Sequence, residues 1–209
     1  NLSRNMKMFL SLIMVLFVFA PAEAEEGYLE GDHYELIPIP VESDSKNAVE
    51  VVEIFSYGCV HCYNFDPYVE VWNQEKGSKV KFERLPAVFT PEFAKAYYTA
   101  EILDVVDEVH TPIFNALHIE RKDLRRKDEL AQIFNRHGGV PEDDFLSVYD
   151  SFGVQSRVQQ AQARVAAYRV TGIPTMIVSG KYRIDGRMAG SNNDMLKVVD
   201  HLVGLESKK

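Results

Sequence analysis

The spacing of hydrophobic and polar positions changes character several times along this chain, and the changes predict its elements. Val49-Glu50-Val51-Val52-Glu53-Ile54-Phe55 is nearly continuous in Val, Ile and Phe rather than alternating, which predicts a central strand over 48–55. A shorter apolar stretch over 33–40 predicts an edge strand whose pairing Pro38 and Pro40 limit, followed by a loop to Asn47. Ser56-Tyr57-Gly58 turns the chain into a helix beginning near Cys59. There Phe65, Tyr68, Val69 and Trp72 recur at the helical period and are expected to face the core, while Pro67 is expected to kink the helix. A strand over 79–85 completes a βαβ unit, whose parallel strands require a right-handed crossover.

From Thr90 to about Phe152 only helical periods appear. They predict helices over 91–103, 111–117 (a short one), 123–137 and 141–151, with Gly138-Gly139 as a stop signal and Pro141 in a first turn. A long helix rich in Ala and Gln follows over 154–170. The strand period then returns in 175–179 and 181–185, which flank Gly180 as a tight hairpin. Ser191 or Asn192 caps a last helix with Met195, Leu196, Val199, Leu202 and Val203 on its apolar side. The sum is an α/β core, βαβ then ββα, with a block of helices inserted.

The N-terminus reads as a targeting segment. Arg4 and Lys7 precede an apolar run over 8–20, and Ala22-Glu23-Ala24 is a small-x-small cleavage site. The run is shorter than the roughly 20 residues a membrane-spanning helix needs. A signal peptide over 1–24, cleaved after Ala24, is therefore expected, with Met6 as the natural start and export as the consequence. A hydrophobic content of 46% is ordinary for a globular core, and the length suits one domain carrying an insertion. The formal net charge of −8 argues against nucleic acid or anionic membrane surfaces as partners.

The chain's only two cysteines, Cys59 and Cys62, are separated by Val60-His61, directly after the central strand. As a structural staple the pair would contribute little, about 2 kcal/mol by the chain-entropy estimate against about 4.7 kcal/mol for a 100-residue loop. In an exported protein the spacing favours redox chemistry. The thiolate is the reactive form, and an ordinary thiol is only about 3% ionised at pH 7. Cys59 falls at a helix N-terminus, where unpaired N–H groups and the helix dipole favour negative charge. His61 adds a second positive influence, and Cys62, one turn in, is the less exposed resolving thiol. Tyr63 after Cys62 excludes a Cys-x-x-Cys-His haem attachment. A zinc site would need a second ligand pair, and the remaining histidines show none at ligand spacing.

Phe55-Ser56-Tyr57-Gly58-Cys59-Val60-His61-Cys62-Tyr63, followed by Gly172-Ile173-Pro174-Thr175-Met176, resembles the DsbA family of periplasmic thiol–disulfide oxidases. The resemblance covers essentially the whole chain after the targeting segment. It implies a thioredoxin fold with an inserted helical domain, divided as 25–89, 90–152 and 153–209. It implies that Cys59 is the exposed nucleophile, that Ile173-Pro174 is a cis-proline loop, and that Ile173, Pro174 and Thr175 meet an extended substrate strand. Glu53 matches a buried acid behind the dithiol, with Arg84 its candidate partner. Two residues depart from the familiar pattern: Val60 stands where the family has proline, and Arg84 replaces a lysine. Because arginine stays charged, Glu53 is expected to remain more firmly ionised than it would beside a lysine, if they pair.

The resemblance further implies reduced exported proteins as clients, a DsbB-like quinone-linked membrane oxidase for reoxidation, a monomer, and no cofactor beyond the cysteine pair. The helical block is expected to wall an apolar client groove, with Arg121, Lys122, Arg125, Arg126 and Lys127 on a solvated helix face. A disulfide isomerase or reductase on the same scaffold, and a client-binding module with an incidental disulfide, are the competing readings.

Overall fold

A computed structural model describes residues 27–208 apart from Asp44 and Lys46, so the expected signal peptide and its cleavage site lie outside the described residues. Five strands form one mixed sheet. In chain order they are β1 (Glu35–Leu36), β2 (Val49–Phe55), β3 (Val80–Pro86), β4 (Thr175–Val178) and β5 (Tyr182–Asp185). Their spatial order is β1-β5-β4-β2-β3, with β2 and β3 parallel and the other pairs antiparallel. All seven residues of β2 are buried, as a strand covered on both faces requires.

Alternate residues of β2 feed two separate cores. Val49 and Val51 pack with Phe65, Val69 and Trp72 of α1 (Val60–Lys76) and with Met195, Val199 and Leu202 of α8 (Asn192–Glu206). Val52 and Ile54 join a second core, which the helical block shares. That block comprises α2 (Pro91–Ile102), α3 (Val106–His118), α4 (Lys127–Gly138) and α5 (Glu142–Tyr149), and α6 (Phe152–Ala167) packs on α2 and reaches β3. A short α7 (Gly186–Ala189) follows β5, capped by Asp185, whose carboxylate accepts from Arg187 N and Met188 N.

Several boundaries differ from the sequence expectation for identifiable reasons. β1 is only two residues long, because beyond it pairing thins to single bonds, Ile37 N to Lys181 O and Val41 N to Gly180 O. Tyr68 is 49% exposed rather than in the core: it sits at the margin of the Phe65–Val69–Trp72 stripe and faces the groove between α1 and α8. α3 starts five residues before the expected short helix and continues through Pro112. Arg121, Lys122, Arg125 and Arg126 lie in the α3–α4 connection rather than on a helix. Asp123 accepts from Arg125 N there, a side-chain turn that delays α4 to Lys127.

The β4–β5 hairpin closes with Ser179 (φ 52°) and Gly180 (φ 62°), both left-handed, with Lys181 N donating to Val178 O. Two left-handed central residues make the turn that matches strand twist. A β-carbon on Gly180 would fall on the Val41 carbonyl. Gly180→Ala is expected to destabilise the fold by more than about 1 kcal/mol in denaturant unfolding. An unchanged midpoint would show that the turn relaxes freely.

Candidate active site

Cys59 is the N-cap of α1: its backbone is extended (φ −95°, ψ 115°), and its sulfur takes the place an Asp or Ser oxygen holds at other helix starts. The Cys62 N–H donates to Cys59 Sγ at 3.3 Å, and the His61 N–H also reaches it. Both cysteines are free thiols, Cys59 partly exposed and Cys62 0% exposed. The hydrogen bond from the Cys62 thiol, the two backbone donors and the charge of His61 together outweigh burial and bring the Cys59 thiol down to about 6. Burial, then the bond to Cys59 and its charge, push the Cys62 thiol far up. Of two chemically identical groups, one is thus an anion at neutral pH and the other a firmly protonated thiol.

His61 is exposed beside the sulfur, and Val60 is half exposed at the helix's first turn. Opposite the dithiol, the Ile173–Pro174 peptide bond is cis, and the Ile173 carbonyl oxygen lies 3.7 Å from Cys59 Sγ, a contact in which only the protonated thiol can donate. Ile173 precedes the β2–β4 ladder, whose register begins at Thr175. Thr175 is 1% exposed, and its hydroxyl donates to the Gly172 carbonyl at 2.7 Å, so its side chain shapes the loop. His61, Gly172, Ile173, Pro174, Arg187 and Asn192 line a cleft on this side of the dithiol.

On the other side, Gly58, Phe93, Leu117, His118, Arg121 and Lys122 line a second depression. Arg125 and Asp123 of the α3–α4 connection also line this depression, so it carries charges of both signs. A β-carbon on Gly58 would come within 2.8 Å of the Phe93 ring, so glycine permits this close packing.

Glu53 and Arg84 do pair, Arg84 Nε donating to Glu53 Oε2 at 3.2 Å, with Glu53 2% exposed. Arg84 favours the ionised form of Glu53, as expected of a lasting charge, but other influences are larger. Burial dominates the favourable charge of Arg84, Asp66 adds repulsion, and the carboxyl rises to about 7. Arg84 is also shared: its Nη2 donates to Asp66 at 3.1 Å and to Glu70 at 2.6 Å. Sequence reasoning missed Asp66, His110 and Tyr57. Asp66 is four residues after Cys62 and adjacent to Phe65, so an acid at the margin of an apolar helical stripe was the available signal. Among the described residues, no cluster of three or more His, Cys, Asp or Glu side chains is arranged to hold a metal ion.

Two thiols of such unequal acidity, on a thioredoxin-type sheet and facing a cis-proline loop, place the protein among the thioredoxin-fold thiol–disulfide oxidoreductases. A sequence model described as a DSBA-like thioredoxin domain matches residues 84–203. The thiol:disulfide interchange protein DsbA of Pseudomonas aeruginosa is 37% identical over 199 residues, covering 94% of each chain. The DsbA of Azotobacter vinelandii is 37% identical, over 84% of this chain and 83% of its own. The crystal structure of Pseudomonas aeruginosa DsbA superposes with a TM-score of 0.81 at 38% identity, over 87% of this chain and 97% of that one. That of the Xylella fastidiosa oxidoreductase gives 0.81 at 33% identity, over 87% and 99%. The chain belongs to the DsbA family.

In the reduced protein, thiolate absorbance is expected to follow a single ionisation with a midpoint near about 6, assigned to Cys59. A midpoint in the ordinary thiol range would contradict the capping geometry.

Proposed function

We propose that the protein oxidises exported proteins in the periplasm by transferring the Cys59–Cys62 disulfide to them. The observation that carries this reading is the Cys59 sulfur serving as N-cap of α1. A thiolate stabilised there favours the dithiol over the disulfide, so the oxidised protein readily gives its disulfide away.

The exchange proceeds in two displacements. A client thiolate attacks the Cys59 sulfur, a client–Cys59 bond forms, the Cys59–Cys62 bond breaks, and Cys62 leaves with the electron pair. Being buried in apolar surroundings, Cys62 is a poor anion and takes up a proton, for which Glu53, near neutrality, on the adjoining strand and electrostatically coupled to Cys62, is the candidate source. A second client thiolate then attacks the client sulfur, and Cys59 departs as a stable thiolate. The client gains a disulfide while Cys59 and Cys62 are reduced. A low-pKa thiol leaves faster, so the capping geometry also favours release.

During the mixed-disulfide stage, the extended backbone of a client lies along Ile173-Pro174, outside the β4 ladder, where strand-like pairing is geometrically open. His61 borders the same cleft. The half-exposed Val60 and the residues around Glu53 and Arg84 then set how strongly the thiolate is favoured. Reoxidation falls to a DsbB-like, quinone-linked membrane oxidase, with the protein acting as a monomer and using no cofactor besides its cysteine pair.

Equilibration with glutathione tests the direction of transfer. The pair is expected to stay mostly reduced until the buffer is strongly oxidising, and Cys59→Ser is expected to abolish disulfide transfer to a reduced test protein. A pair oxidised readily by mild glutathione mixtures would instead assign the scaffold to reductive or isomerising work. Transfer surviving in Cys59→Ser would remove redox chemistry from the account.

A further inference from the structure

Behind the dithiol, three carboxylates share the guanidinium of Arg84: Glu53 of β2, and Asp66 and Glu70 of α1. Glu53 and Asp66 are buried and Glu70 reaches solvent. With all three ionised, one cation would face three anions in a largely dehydrated space, a costly arrangement that favours leaving one carboxyl protonated. Arg84 contacts both buried acids at nearly equal distance, 3.2 Å to Glu53 and 3.1 Å to Asp66, so it does not by itself decide which of them holds the proton.

His110, on α3 of the helical block, breaks that near-symmetry. Its ring is 3% exposed, and it bridges two elements of the redox core. Nε2 lies 3.0 Å from Asp66 Oδ1, and Nδ1 lies 2.9 Å from the Tyr57 hydroxyl. Tyr57 is fully buried and strongly favours its protonated form, so its O–H is the donor in that pair. Nδ1 is then the acceptor, and the neutral ring carries its proton on Nε2, aimed at Asp66. Burial keeps the ring neutral in spite of Asp66. Asp66 thus receives a second donor, from His110 as well as Arg84, and stays ionised although it is buried.

The groups facing His110 are Asp66 and Glu70 from α1, Tyr57 from the cysteine turn, Arg84 from β3 and Tyr97 from α2. Phe55 and Phe114 close the ring in edge-on contact, at 5.4 and 5.1 Å between centroids. Tyr57 stands two residues before Cys59, and its carbonyl accepts from His118 Nε2 at 2.7 Å, also from α3. The helical block therefore grips the cysteine turn at one residue through two histidines.

We propose that His110 is a positioning residue: by donating to Asp66 and accepting from Tyr57, it assigns the exchangeable proton of this buried cluster to Glu53 and ties that assignment to the placement of the cysteine turn. The inference deepens the functional reading above, since a proton on Glu53 matters to the reaction only if Cys62 exchanges one.

Carbon-13 NMR of the side-chain carboxyls, in the full reduced protein and in His110→Phe, tests it. In the unmodified protein Glu53 is expected to inflect near about 7, with Asp66 ionised at every pH above the ordinary aspartate range. In His110→Phe, Asp66 is expected to inflect about one pH unit or more higher, and Glu53 lower as the neighbouring charge is lost. The pH profile of disulfide transfer should move with them. His110→Gln, whose amide N–H can reach Asp66, is expected to restore part of the original pattern, a rescue that a merely space-filling role would not give. Unchanged Asp66 and Glu53 inflections in a folded His110→Phe would overturn the proposal. Should that variant not fold, nitrogen-15 shifts of the His110 ring in the unmodified protein decide the matter: a proton on Nε2 supports the assignment and a proton on Nδ1 contradicts it. Failure of the unmodified protein to transfer disulfides would sink the functional reading while leaving these titrations intact.

Discussion

The hydrogen bond from the Cys62 N–H to the Cys59 sulfur ties the start of a helix to the chemistry of a thiol. Every α-helix begins with N–H groups that lack partners, and something must accept them. Here the acceptor is the Cys59 sulfur, so the requirement to cap α1 and the requirement to stabilise a thiolate are met by one contact. An anion at that position also sits at the positive end of the helix dipole. Burial opposes ionisation of Cys59, yet the donors prevail there, whereas at Cys62 burial prevails.

Local geometry alone would not hold this arrangement in place. β2 is covered on both faces, and the two sides of that strand do different work. One face carries Glu53 toward α1, where Arg84, Asp66 and Glu70 gather. The other packs Val52 and Ile54 beneath the helical block, which returns through His110 and His118 to fix Tyr57, just before the cysteines. The inserted helices are thus structurally coupled to the dithiol. This coupling gives the insertion a role in proton placement that the thioredoxin-type sheet could not supply from its own elements.

Much of this was legible in the sequence, and the limits have physical causes. The Val49–Phe55 run, the cysteine pair and the final hairpin declare themselves because local period and turn chemistry determine them. The Glu53–Arg84 pairing was also legible, since an acid amid Val and Ile on a buried strand demands a partner. Its protonation was not, because that depends on the balance between desolvation and a guanidinium shared among three acids, which only three-dimensional placement reveals. His110 was hidden for a similar reason: a single histidine in a helical period carries no sign that its two nitrogens bridge α1 and the cysteine turn. Tyr68 was misplaced because helical period defines a stripe and leaves its margins ambiguous. Residues 121–126 were misplaced because Asp123, by turning the chain, moved basic residues off the helix that periodicity had assigned them.

The central claim is that the environment of Cys59 makes the dithiol form of the protein more stable than the disulfide form. The most direct measurement is the thermal or denaturant unfolding midpoint of each form across pH. A thiol whose acidity is raised by folding contributes stability that is fully present above its unfolded value and is lost as pH falls through its folded value. The reduced form should therefore unfold at the higher temperature near pH 7, with its advantage shrinking as pH falls through about 6. An oxidised form that is the more resistant at neutral pH, or a difference insensitive to pH in that window, would contradict the account.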